Sequence, residues 1–129
     1  MSLPVKTLGA GHAARAFIDT WLAGWGLHHR IDDVQLVLSE LIGNVLRHTN
    51  STAVTVLLDL DPEFLLMEVR DYGEALAPGE PDNDPNPTEA PEDAEGGRGM
   101  CVIRSLCTYY ARLTREHPGD TRVVKMALT

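Results

Sequence analysis

One segment of this chain limits what the rest can fold into. From Asp71 to Gly97 inclusive, the sequence contains nine acidic residues and no lysine or arginine. Prolines at positions 78, 81, 85, 87 and 91 interrupt it, and proline breaks both helices and central strands. Long acidic, proline-rich stretches inside a domain are usually functional lids or disordered inserts. Neither flank forms a complete core alone, so the sequence predicts a single domain, residues 1–129, with an inserted lid at about 74–96.

The size and charge of the chain indicate a small soluble domain. Its 129 residues are enough to bury a core without disulfides or a metal. The net charge of −8 argues against nucleic acid as a direct partner, because phosphate contacts need clustered Lys and Arg. No stretch approaches the ~18 apolar residues of a membrane span, and the first residues lack the apolar core of a secretory signal. We therefore expect a cytoplasmic protein with no membrane partner.

Hydrophobic spacing predicts three helices and two hairpins. Helices are expected at about 10–25, 33–48 and 99–106, and strands at 53–60, 64–71, 109–114 and 121–128, with a short first strand at Pro4–Thr7. Gly26 followed by Leu27 predicts a glycine stop for the first helix, and the spacing of Asp32 and Gln35 predicts a capping box for the second. This order favours an α/β two-layer sandwich, with a mixed, mostly antiparallel sheet and three helices on one face.

The polar side of the second predicted helix carries the first candidate chemistry. Glu40, Asn44 and His48 are spaced by four with Arg47 beside them, so all four lie on one strip of the helix. A Glu and an Asn one turn apart can hold hydrated Mg²⁺ or orient a water, since Mg²⁺ takes only one or two protein oxygens. The alternative is an ordinary solvated face, in which Asn is unexpected because it is a mediocre helix former.

Asp71 is the second candidate, at the end of a predicted strand. Leu65, Met67 and Val69 share its face, so the alternation of the strand carries Asp71 toward the interior. A buried carboxylate needs a partner, which is either a set of backbone amides in a turn or a ligand donor such as an exocyclic amine. Gly73 follows two residues later, where a chain can let a flat ring approach closely.

The third candidate is the run Gly96-Gly97-Arg98-Gly99, directly before the third predicted helix. Glycines there let backbone N–H groups turn toward a phosphate, and a helix N-terminus favours negative charge. Arg98 would add a cationic contact. The alternative is a simple loop end, because the run matches neither a Walker A loop nor a full GxGxxG.

In their order along the chain, these motifs resemble those of the GHKL ATPase superfamily, whose ATP site is called the Bergerat fold. The resemblance covers about Asp32 to the C-terminus and is nearest to bacterial anti-sigma-factor serine/threonine kinases and small actinobacterial regulatory ATP-binding proteins. SELIGNVLRH is similar to the N box, VRDYG to the adenine-binding box, GGRGMCVI to the second glycine box and GDTRVV to the final box.

The resemblance implies a role for each matched residue. Glu40 is the implied general base, Asn44 the Mg²⁺ ligand and Asp71 the partner of the adenine amino group. The other implied ATP-binding residues are Arg47, His48, Gly73, Gly97, Arg98, Gly99, Met100 and Thr121, the last being the Thr that usually lies near the adenine aspartate. ATP and Mg²⁺ are thus the implied cofactors.

Three departures from the family pattern keep alternatives open. Ala75 replaces a frequent second glycine, Glu95 stands where sporulation-type kinases carry a lid arginine, and an acidic lid would repel a triphosphate. The resemblance implies a kinase that phosphorylates an antagonist protein, sequesters a sigma factor, or does both. The alternatives are a nucleotide-dependent protein-binding module with little or no kinase activity, and a relative that binds no nucleotide. Relatives often dimerise through their sheets, so a homodimer is the implied alternative to a monomer.

Overall fold

The helices and strands expected from the sequence are present. The computed structural model describes residues 2–4, 10–74, 97–114 and 119–129, with the side chains of 13–74, 100–114 and 119–129. The regular elements are β1 Ser2–Pro4, α1 Ala10–Gly24, a 3-10 turn at His28–Arg30, α2 Ile31–His48, β2 Ala53–Leu60, β3 Phe64–Asp71, α3 Gly97–Leu106, β4 Tyr109–Thr114 and β5 Asp120–Ala127. The predicted lid lies outside the described residues except for its first residue, and so do Ala75 and Glu95.

The strands form one sheet in the order β1-β2-β3-β5-β4. Each described pairing is antiparallel, so the expected two-layer α/β sandwich is confirmed with no parallel pair among these strands. Two hairpins, β2–β3 and β4–β5, are joined by the pairing of β3 with β5. This pairing brings the end of β3 next to the start of β5.

A single hydrophobic core joins the helices to one face of the sheet. Leu22 of α1, Leu41 of α2 and Ile103 of α3 belong to the same buried cluster as Met67 and Val124 of the sheet. The predicted apolar stripe of α2 is buried as expected, with its members Val34, Val37, Leu38, Leu41 and Val45 at 2% exposure or less. Because β3 alternates strictly, Asp71 is carried to the same interior face as Leu65, Met67 and Val69.

The start of α2 differs from the expected capping box. A 3-10 turn at His28–Arg30 runs directly into the helix, which begins at Ile31 with no side-chain cap. Asp32 and Gln35 therefore lie inside α2, and the Gln35 amide donates to Asp19 of α1 at 2.7 Å. The capping-box prediction was wrong because the preceding turn moves the helix start ahead of Asp32.

Most other local predictions are confirmed, with shifted boundaries. Gly26 has φ +75°, and the Leu27 amide donates to the Leu22 carbonyl at 2.8 Å, which is the expected glycine stop. A first strand is described at Ser2–Pro4, and all of the expected strand Pro4–Thr7 except Pro4 lies outside the described residues. Within the described ranges, no helix is both long and apolar enough to cross a bilayer.

Candidate functional site

The polar strip of α2 is less open to solvent than a solvated face would be. Asn44 is only 7% exposed, and Glu40 and His48 are half-buried. The Arg47 guanidinium donates from Nη2 to the Asn44 side-chain oxygen at 2.5 Å. A Cβ atom at Gly43 would lie 3.1 Å from Arg47 Nη1, so the glycine makes room for Arg47 to lie back along the helix. The predicted metal-ligand oxygen therefore already has a cationic donor, and a metal ion there requires the exposed Arg47 to move away.

Asp71 is fully buried and held from both sides. Its Oδ1 accepts hydrogen bonds from the main-chain N–H groups of Gly73 and Asp120, each at 3.2 Å. Its Oδ2 accepts from Arg122 Nη1 at 2.7 Å, and the two side chains are 1% and 2% exposed. Of the two partners considered from the sequence, the turn amide of Gly73 is present. The buried ion pair with Arg122 was not predicted.

The structure does not bring Thr121 to Asp71. Thr121 pairs in register with Arg70, so its side chain lies on the opposite face of the sheet from Asp71. Arg122, the next residue, pairs with Val69 and takes the position beside Asp71 that the resemblance gave to Thr121. A signal for this was present in the sequence: Arg122 alternates with Val124 and Met126, which mark the inward face of the strand.

Gly73 lies where another part of the protein closely approaches its main chain. A Cβ atom at this position would lie 2.3 Å from the main-chain N of Ser51 and 2.6 Å from the Asn50 side-chain oxygen. The Ser51 hydroxyl accepts from the Tyr72 amide at 3.0 Å. We call the contact of Asn50 and Ser51 with Tyr72, Gly73 and Glu74 the clasp. It fastens the segment after α2 to the end of β3, where the lid begins.

The glycine run opens α3 earlier than expected. The helix begins at Gly97, so Gly97 and Gly99 lie in its first turn. The first N–H groups of a helix have no intrahelical acceptor, and they favour an anion. Gly96 and the side chain of Arg98 lie outside the described parts. Met100 packs against the hydrophobic core, so its described contacts are those of a packing residue.

The sheet end around Asp71 carries charge of both signs. Arg112 and Arg122 face each other on neighbouring strands, and Arg112 Nε lies 3.8 Å from the Asp120 carboxylate. The two arginines and the two aspartates, Asp71 and Asp120, together carry a net charge of zero. Among the described residues, no group of three or more His, Cys, Asp or Glu could hold a metal ion. The donors present fit Mg²⁺ only as one or two protein oxygens supplemented by substrate phosphates and water.

Comparison with known proteins identifies the family of the chain and solved structures that resemble it. The sequence model of the histidine kinase-like ATPase domain matches residues 6–127. No curated protein matches the sequence. Among solved structures, the Acinetobacter baumannii histidine kinase AdeS is similar, at a TM-score of 0.49 and 15% identity over 77% of this chain. The chain spans 47% of the length of that protein.

Proposed function

Because the chain belongs to the family of histidine kinase-like ATPase domains, we propose that it is a regulatory protein of the cytoplasm that binds Mg-ATP and transfers the γ-phosphoryl group to a partner. Membership of this GHKL family implies ATP binding. The proposed acceptor is a serine or threonine of an antagonist protein, and the proposed outcome is control of a sigma factor, as in the anti-sigma-factor kinases that the sequence resembles.

The observation that supports this proposal is that the elements carrying the three motifs contact one another. The clasp ties the segment after α2, the helix that holds Asn44, to the end of β3, which holds Asp71. α3, which begins with the glycine-rich turn, packs against α2, and α2 also contacts β3. A bound nucleotide needs a site for its metal, one for its base and one for its phosphates. The polar strip of α2, the buried carboxylate and the anion-favouring start of α3 can supply these in that order.

Each part has a distinct task in the proposed function. Asp71 accepts a hydrogen bond from the amino group of the base, and the first-turn amides of α3 hold a phosphate. Asn44 supplies one oxygen to Mg²⁺, which lowers the charge repulsion between the phosphates. Glu40, one turn before Asn44 on the same strip, accepts the proton of the substrate hydroxyl.

The test is calorimetric titration of ATP with and without Mg²⁺. Asp71→Asn is expected to abolish binding under both conditions, whereas Asn44→Ala should remove only the part that depends on Mg²⁺. Asp59→Asn, an exposed aspartate on β2, is the matched control and should bind like the wild type. ATP binding that is unaffected by Asp71→Asn would refute the assignment of the site.

A second candidate is a nucleotide-dependent protein-binding module with little or no phosphoryl transfer. Arg47 favours it, since its guanidinium occupies the Asn44 oxygen that the metal would need. The two candidates predict different results for phosphoryl transfer from labelled ATP to the antagonist protein, measured with wild type and with Glu40→Gln. The kinase loses transfer in this variant and keeps ATP binding, whereas the module shows no transfer even as wild type.

A further inference from the structure

The ion pair with Asp71 engages only part of the hydrogen-bonding capacity of the Arg122 guanidinium. A guanidinium carries five N–H donors, and Nη1 donates to Asp71 Oδ2. Within the described ranges the Arg122 side chain has no second polar partner, although it is only 2% exposed. Buried charged groups ordinarily satisfy their hydrogen-bonding capacity. The remaining N–H groups have no acceptor among the described residues, and a bound molecule can supply one.

The geometry around Asp71 determines where such a molecule meets Arg122. Oδ1 is held by the main-chain amides of Gly73 and Asp120, which belong to the turn after β3 and to β5, the strand paired with β3. The carboxylate is thus fixed in orientation. Since Oδ1 accepts hydrogen bonds from these two amides, we expect an amino group recognised by Asp71 to approach Oδ2, the oxygen beside the guanidinium.

We propose that Arg122 is a specificity-determining residue of the base site. While Asp71 Oδ2 accepts a hydrogen bond from the amino group of the base, an N–H of Arg122 donates to the adjacent ring nitrogen. The pair presents a carboxylate, which only accepts, beside a guanidinium, which only donates. Adenine has the complementary edge, an amino group next to the unprotonated nitrogen N1. This inference rests on the proposed binding of ATP by this site.

The experiment compares ATP with 1-deaza-ATP, in which C–H replaces the ring nitrogen N1 while the amino group and triphosphate are kept. Wild type is expected to bind ATP about ten- to a hundredfold more tightly, the effect of one hydrogen bond from a charged donor. Arg122→Met should bind the two nucleotides equally. Arg70→Met is the matched control, because Arg70 lies on the opposite face and pairs with Glu68. It should keep the wild-type preference.

The role of Arg122 would be overturned if wild type bound both nucleotides equally, or if Arg122→Met kept the wild-type preference for ATP. It would also be overturned if Arg122→Met bound ATP more tightly than wild type, because Arg122 would then compete with the base. If Arg122→Met does not fold, Arg122→Lys takes its place, since it keeps a cation for Asp71 without the planar fork. Its preference for ATP should shrink, and an unchanged preference would also overturn the role. Wild type that binds neither nucleotide would instead refute the proposed function itself.

Discussion

Asn50 and Glu74 are 24 positions apart and exchange two hydrogen bonds. The main-chain N–H of Asn50 donates to the Glu74 carbonyl at 3.1 Å, and the Glu74 N–H donates to the Asn50 side-chain oxygen at 2.7 Å. The bonds lie between the helix that carries Asn44 and the strand that carries Asp71. The metal side and the base side of the proposed site are therefore fixed relative to each other before a nucleotide arrives, which reduces the ordering cost of binding.

The clasp predicts that Gly73→Ala is strongly destabilising. The added Cβ would fall 2.3 Å from the Ser51 main-chain N, and backbone cannot give way as a flexible side chain can. We expect a loss of about 1–3 kcal/mol in the free energy of unfolding, measured by urea denaturation. Gly24→Ala is the control, since nothing lies within 4 Å of that position, and it should be neutral or slightly stabilising. Equal stability of the two variants would contradict the clasp.

The buried ion pair predicts that Asp71 and Arg122 cannot be replaced singly without cost. Asp71→Asn leaves a buried guanidinium without a charged partner, which should lower the free energy of unfolding by about 3–5 kcal/mol. The double variant Asp71→Leu/Arg122→Met should recover most of that loss while still failing to bind ATP. Neutralising the half-exposed pair Glu68–Arg70 should cost less than about 1 kcal/mol. A double variant no more stable than Asp71→Asn would contradict this account.

The buried thiol of Cys107 predicts that the stability of the protein depends on pH. Burial raises the pKa of the Cys107 thiol from its ordinary 9.0 to about 12, so between these values the unfolded chain loses a proton that the folded chain keeps. Stability should therefore be unaffected by this group below pH 9 and fall by about 1.4 kcal/mol per pH unit above it. Cys107→Ala should flatten this part of the stability–pH curve. An unchanged slope in Cys107→Ala would contradict this assignment.

The contact of Arg47 with Asn44 predicts that replacing Arg47 has opposite effects on the binding of Mg²⁺ and on the binding of metal-free ATP. In Arg47→Met, Asn44 loses its cationic donor. The Mg²⁺ concentration that gives half of the Mg²⁺-dependent gain in ATP affinity should therefore fall about two- to fivefold. Without Mg²⁺, ATP should bind more weakly, since a cation near the phosphates has been removed. Arg15→Met on the exposed face of α1 should change neither value. A Mg²⁺ requirement that is unchanged in Arg47→Met would show that the contact with Asn44 does not oppose the metal.

Local spacing was sufficient to predict the elements, the buried stripe of α2 and the inward direction of Asp71. These features depend on neighbours within one helix or strand. The partner of Asp71 could not be found in the same way, because the register that places Arg122 beside Val69 is set between strands far apart in sequence. Motif matching selected Thr121, whereas strand alternation selects Arg122. The role of Gly73 was likewise hidden, since Ser51 approaches it from another part of the chain.

Asp71 and Arg122 are 51 positions apart, which has a consequence for the order of folding. The β2–β3 and β4–β5 hairpins need only short turns, but the β3–β5 pairing must close a long loop, and such contacts form slowly. Until those strands pair, Asp71 has neither Arg122 nor the Asp120 amide, so the chain has no base site for a nucleotide to recognise. ATP is therefore expected to slow unfolding without accelerating folding, and to act on the lifetime of the finished domain rather than on its assembly.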